Sequence, residues 1–180
     1  VCAGCNVAVY ACVGVVMSGR IESGSDGVSN TTGGTITGVI RGCSNGVYNS
    51  IGVTLTETGV ICECQYAVRT LPAITIRGTI RDVNQGFNEG SGLVDGAVIR
   101  GAQIALVSLS SAGGGSVGAR VTFRRTTLYG PTSTPEAPTL YYQNTDAEWS
   151  DYVAYENCSG IAAATFQVAR TSSSGSRATP

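Results

Sequence analysis

The chain has 180 residues, a formal net charge of −1, 13% charged residues against a usual share of about 25%, and neither histidine nor lysine. This composition withholds the imidazole on which most acid–base catalysis and most zinc sites depend, and the amine needed for Schiff-base or isopeptide chemistry. It also lacks the basic stripe of a nucleic-acid binder, so no enzymatic activity, cofactor or nucleic-acid partner is expected.

At the N-terminus, Val7, Val9, Ala11, Val13, Val15 and Met17 alternate with Asn6, Ala8, Tyr10, Cys12, Gly14 and Val16, the period-2 pattern of a strand. The spacing predicts a connector strand over residues 1–18 that either completes its own sheet or adds to a neighbour's open sheet. The apolar run from Val7 to Met17 is shorter than the about 20 residues of a membrane-spanning helix, so no membrane insertion is expected. The chain begins at Val1 and not at Met, which suits a processed, secreted product. Asn30-Thr31-Thr32 and, far downstream, Asn157-Cys158-Ser159 are glycosylation sequons, making Asn30 and Asn157 candidate modification sites.

Period-2 alternation then dominates residues 19–170, punctuated by glycine clusters. One strand is expected near Thr35 to Gly42, and Val47, Ile51, Val53 and Leu55 make a further apolar face. Val60, Cys62, Cys64, Tyr66 and Val68 line one side of another strand, with Glu63, Gln65 and Arg69 opposite. Ile74, Ile76 and Ile80 point inward against Thr75, Arg77, Thr79 and Arg81. More strands are expected at Val94 to Leu109, Val117 to Phe123, Leu140 to Gln143, Asp151 to Tyr155 and Ile161 to Arg170. Ser111 to Ser116 and the proline-rich Pro131 to Pro138 read as loops, and the Ser- and Thr-rich residues 171–180 as a loose tail. The pattern predicts an all-β fold: a single β-sandwich or jelly roll of about nine or ten strands with an extended N-terminal arm.

The seven cysteines, Cys2, Cys5, Cys12, Cys43, Cys62, Cys64 and Cys158, are an odd number, so pairing within one subunit leaves a thiol over. Cys2 and Cys5 can join only if Ala3-Gly4 makes a turn. Cys62 and Cys64, two apart on an expected strand, would leave the same face and need separate partners, such as Cys43 or Cys158. All seven are candidate cross-linking residues, with Cys2, Cys5 and Cys12 best placed to reach another subunit. A metal site from Cys2, Cys5, Cys62 and Cys64 has the wrong second spacing for zinc. The series Asn144, Asp146, Glu148 and Asp151 carries Trp149 and Tyr155 where a calcium loop needs glycine and glutamate. No metal is expected.

The run from Cys64 to Thr79, with Tyr66-Ala-Val68-Arg69 ahead of Ile74-Thr75-Ile76-Arg-Gly78-Thr79, resembles the strand-turn-strand of endospore-appendage fibre subunits, as does the cysteine-bearing N-terminus. The resemblance implies a jelly-roll subunit whose connector inserts into neighbours. It implies connector roles for Cys2, Cys5 and Cys12, and acceptor roles for Cys43, Cys62, Cys64 or Cys158.

The expected function is therefore a self-assembling extracellular subunit at a cell or spore surface, polymerising with copies of itself by strand insertion and inter-subunit disulfides. One alternative is a secreted adhesin or glycan-binding module presenting Trp149, Tyr141, Tyr142, Tyr152 and Tyr155 to surface glycans. A further alternative is a viral capsid or decoration jelly roll.

Overall fold

The computed structural model describes residues 1–100, 103–107, 121–129, 139–143, 153–158 and 165–169. Within them the chain is all-β, without helix, and every strand pair is parallel. The fold is a β-solenoid: five successive turns occupy residues 1–97, and later strands continue the stack. The expected sandwich or jelly roll is thereby corrected, because those folds are built from antiparallel pairs between packed sheets, whereas here each strand lies on the equivalent strand one turn earlier.

Each turn has three sides. The first comprises Cys2–Ala3, Arg20–Glu22, Val39–Arg41, Val60–Cys62, Thr79–Arg81, Val98–Arg100 and Thr127–Tyr129. The second begins with Val7–Tyr10, Asp26–Ser29 and Asn45–Tyr48, and the third with Val13–Met17, Thr32–Ile36 and Ile51–Leu55. In turns four and five these two sides run together as the long strands Tyr66–Ile76 and Gln85–Asp95, whose mutual register shifts between Leu71 and Ile74. The residues expected as a connector are thus the whole first turn, hydrogen-bonded to the second along all three sides.

The register comes from a repeated triplet. Arg20-Ile21-Glu22, Val39-Ile40-Arg41, Val60-Ile61-Cys62, Thr79-Ile80-Arg81 and Val98-Ile99-Arg100 start at 20, 39, 60, 79 and 98, steps of 19, 21, 19 and 19. Their central isoleucines are buried and stack into one column. Val28, Val47 and Val68 form a column on the second side; Met17, Ile36, Leu55, Ile76, Val94 and Phe123 form one on the third. Burying each such side chain contributes about 1.5–3 kcal/mol, and stacking identical shapes lets every turn repeat the packing of the last.

The corners keep this stack in phase. At the first corner Gly4, Ser23, Gly42, Glu63 and Asp82 all have φ between 55° and 66°. Their amides donate in series to the next turn: Gly4 to the Glu22 carbonyl, Ser23 to Arg41, Gly42 to Cys62, Glu63 to Arg81 and Asp82 to Arg100, at 3.0–3.3 Å. Ala11, Asn30 and Asn49 repeat the arrangement at the second corner, donating to Ser29, Tyr48 and Arg69, and Gly96 and Arg125 at the third, donating to Arg124 and Glu156. A left-handed residue without glycine's freedom costs about 1–2 kcal/mol, so the many non-glycine examples show that the inter-turn bond outweighs that strain.

The interior is narrow. A Cβ on Gly46 would lie 2.6 Å from the Ala67 carbonyl oxygen and 2.7 Å from Ile61 Cγ2, atoms of the next turn that cannot move apart without breaking the stack. Gly46→Val should therefore lower the unfolding free energy by about 3 kcal/mol, at the upper end of overpacking effects, or abolish folding. Chemical denaturation monitored by circular dichroism measures this; an unchanged midpoint contradicts the packing.

Candidate functional site

Cys5, Cys12, Cys43, Cys64 and Cys158 occupy the corner slot that other turns fill with Thr31, Ser50 and Thr126, or with Gly24, Val83 and Ala97. Where the residue after a left-handed corner residue carries a hydroxyl or thiol, it turns that heteroatom back to the carbonyl two residues earlier. Thr31 Oγ1 donates to Ser29 O at 3.3 Å, Ser50 Oγ to Tyr48 O at 2.8 Å, and Thr126 Oγ1 to Arg124 O at 3.1 Å. Cys12, Cys43, Cys64 and Cys158 do the same, to Tyr10, Arg41, Cys62 and Glu156 at 3.2, 3.7, 3.2 and 3.5 Å. The heteroatom also receives an amide from the turn before: Thr31 N donates to Ser50 Oγ at 3.1 Å, and the Gly24 and Cys43 amides point at the Cys43 and Cys64 sulfurs.

Cys2 and Cys5 are joined to each other, with Cα atoms 6.4 Å apart. Gly4, at φ 66°, supplies the turn that brings them together. Cys43 and Cys64 are buried and lie one above the other at the first corner of turns three and four. Cys62 does not share a face with Cys64, because the chain bends at Glu63 between them. It stacks between Arg41 and Arg81, where burial raises its pKa and the two guanidiniums oppose that shift. Cys12 and Cys158 are partly exposed.

The Cys43–Cys64 pair polarises its members in opposite directions. The hydrogen bond from the Cys64 thiol lowers the Cys43 pKa to about 7 against the opposing effect of burial, with help from the Gly24 amide. The same bond and burial push Cys64 upward. Cys43 is thus the sulfur that ionises first.

Two other polar clusters sit on the stack. Arg69 lies over the rings of Tyr48 and Tyr66, 5.8 and 4.9 Å from their centroids. Asp95, buried at the third corner, accepts from Arg124 at 2.6 Å and from both Arg125 Nε and Nη2 at 2.7–2.9 Å, tying turn five to the strand above. Along the first side Arg20, Arg41 and Arg81 pair with Glu22, Glu63 and Asp82 at 2.6–2.8 Å. Among the described residues no group of three or more His, Cys, Asp or Glu side chains could hold a metal ion.

Of the candidate glycosylation sites, Asn30 is a left-handed corner residue whose side-chain amide donates to Ser29 Oγ at 3.2 Å and accepts from Asn49. Asn157 is an exposed corner residue. Tyr141, Tyr142 and Tyr155 fall in the strands Thr139–Gln143 and Val153–Glu156. Trp149, Tyr152, the acidic series Asn144 to Asp151, the Ser111–Ser116 and Pro131–Pro138 loops and the 171–180 tail lie outside the described residues.

The first turn is the other candidate site. Cys2–Ala3, Val7–Tyr10 and Val13–Met17 each end their sheet, paired on one side only. Val1, Val13, Val16 and Tyr10 are 94%, 84%, 69% and 62% exposed there. Sequence reasoning found the exposed alternating strand but not the corner slots; the recurring Gly-Cys, Asn-Thr, Asn-Ser and Glu-Cys pairs at the turn spacing were the signal. No family model, no curated protein and no solved structure matches this chain.

The Arg124 and Arg125 hydrogen bonds lower the Asp95 pKa to about 2, below the about 3.9 of a free aspartate. Because the folded value is the depressed one, its stabilising contribution is complete above pH 4 and is lost as pH falls through about 2. Thermal midpoints of wild type and Asp95→Asn between pH 5 and pH 1.5 should converge at the acid end. Parallel curves contradict the assignment.

Proposed function

We propose that the chain is a structural subunit of an extracellular fibre, extended by stacking one solenoid on the open first turn of the next. The observation that carries this reading is the uncovered edge itself: three parallel strands with one row of backbone groups unpaired, surrounded by exposed Val1, Val13, Val16 and Tyr10. Unpaired edges recruit further strands, and natural proteins ordinarily cover or charge them. A parallel solenoid is polar, so its two ends offer complementary halves of the same ladder. Head-to-tail contact between copies is heterologous and extends without closing, which builds a filament and not a dimer.

This replaces an inserted arm by a stacked turn. The Cys2–Cys5 bridge within the subunit leaves Cys12 as the first-turn thiol for a bond between subunits, with Cys158, also partly exposed, as a partner. Main-chain ladders supply the affinity and such a disulfide would make the joint durable. Display at a cell or spore surface fits the low charge and the abundance of cysteine. A second reading, a glycan-binding module, draws on the Arg69 guanidinium held against Tyr48 and Tyr66, a flat polar–aromatic patch of the kind sugars stack on.

The test is electron microscopy and sedimentation of the purified chain, with denaturing gels run with and without reductant. Filaments and a reductant-sensitive ladder are expected. Val13→Asp combined with Val16→Asp should reduce filament mass at least tenfold while the β-type circular dichroism spectrum persists. A chain that stays monomeric at high concentration, or filaments that grow equally well from the double variant, would overturn the proposal.

A further inference from the structure

We infer that Cys43 and Cys64 are a peroxide-responsive dithiol that closes into a disulfide between turns three and four. Register brings them together. Cys62 pairs with Arg41 one turn below, and Gln65 N donates to the Cys43 carbonyl at 3.1 Å, which sets Cys64 directly over Cys43. Stacked residues of adjacent parallel strands lie about 4.8 Å apart, inside the roughly 4.4–6.8 Å Cα range of disulfides. Their side chains interact, and that interaction sets their two ionisations apart. Cys62 has arginines and no cysteine in its column, so it is excluded from the pair.

The two sulfurs have unequal roles. Once ionised, the Cys43 sulfur is favoured by the Cys64 thiol and by the Gly24 amide. Both residues are only 3% exposed at rest, so a small oxidant reaches Cys43 when the corner opens. The Cys43 thiolate attacks hydrogen peroxide: an S–O bond forms, the O–O bond breaks, and the departing hydroxide takes a proton to become water. Cys64 then attacks the Cys43 sulfur, the S–O bond breaks, and a second water leaves with the Cys64 proton. Two thiols lose two electrons, one peroxide gains them, and the product is one disulfide and two waters. The closed loop spans one complete turn, so the bond is a covalent ring around the solenoid, independent of any contact between copies.

The experiment treats the full-length chain with limiting hydrogen peroxide, alkylates the remaining thiols, and cleaves at arginine and glutamate. Cleavage after Arg41, Glu57, Glu63 and Arg69 places Cys43, Cys62 and Cys64 in three separate fragments, 42–57, 58–63 and 64–69. The expected product links 42–57 to 64–69 and leaves 58–63 alkylated, and its rate of formation rises through about pH 7 as Cys43 ionises. Cys62→Ser should give the same cross-link at the same rate. Cys64→Ser should instead trap Cys43 as a sulfenic acid that reacts with a cyclic dione. A cross-link through Cys62, or Cys43 and Cys64 both recovered alkylated, overturns the inference, and the wild-type map decides the matter even where the Cys64 variant fails to fold.

Discussion

The structure depends on the hydrogen bond donated from each left-handed corner residue to the turn that follows. A parallel strand can lie on its predecessor only if both chains turn at the same place and by the same amount. The single left-handed residue provides that bend, and its amide, donated to the next carbonyl, passes the ladder around the corner without interruption. The column Gly4, Ser23, Gly42, Glu63 and Asp82 makes the point, since three of its five members accept left-handed strain that glycine would avoid. Loss of phase at any corner would displace the isoleucine column beneath it from the core.

The same constraint explains the cysteines. Several corners use a short side chain that donates to the carbonyl two residues back and accepts the amide one turn earlier, while Gly24, Val83 and Ala97 fill others. Serine, threonine and cysteine all provide such a side chain, and the chain uses them in the same slot at Thr31, Ser50, Cys43 and Cys64. Cysteine adds softness and apolar bulk, so Cys43 and Cys64 also belong to the hydrophobic core. Stacking two such corners places two thiols in contact, and redox chemistry follows from a packing solution.

Much of this was legible in the sequence. The all-β content, the inward set Ile74, Ile76 and Ile80, and the turn required between Cys2 and Cys5 all appear in the structure. The architecture did not follow, because period-2 alternation is identical in parallel and antiparallel sheets, and the one-residue corner that shifts the inward face from Ile61 to Cys64 leaves no break in the apolar pattern. Val60 to Val68 therefore read as one strand, although the chain bends at Glu63 and the buried Cys62 stacks between arginines, outside the column that holds Cys64. Ile76 and Ile80 likewise belong to different sides, separated by the corner at Gly78. The distinguishing signal was long-range: a β-branched or polar residue, an isoleucine and a charged residue or cysteine returning every 19–21 residues.

The most direct test of the corner ladder is nuclear magnetic resonance detection of scalar coupling through its hydrogen bonds in the full chain. Couplings are expected from the Ser23 amide to the Arg41 carbonyl, from Gly42 to Cys62 and from Glu63 to Arg81. Their absence, with couplings instead linking sequence neighbours in hairpin register, would contradict the parallel solenoid and the account built on it.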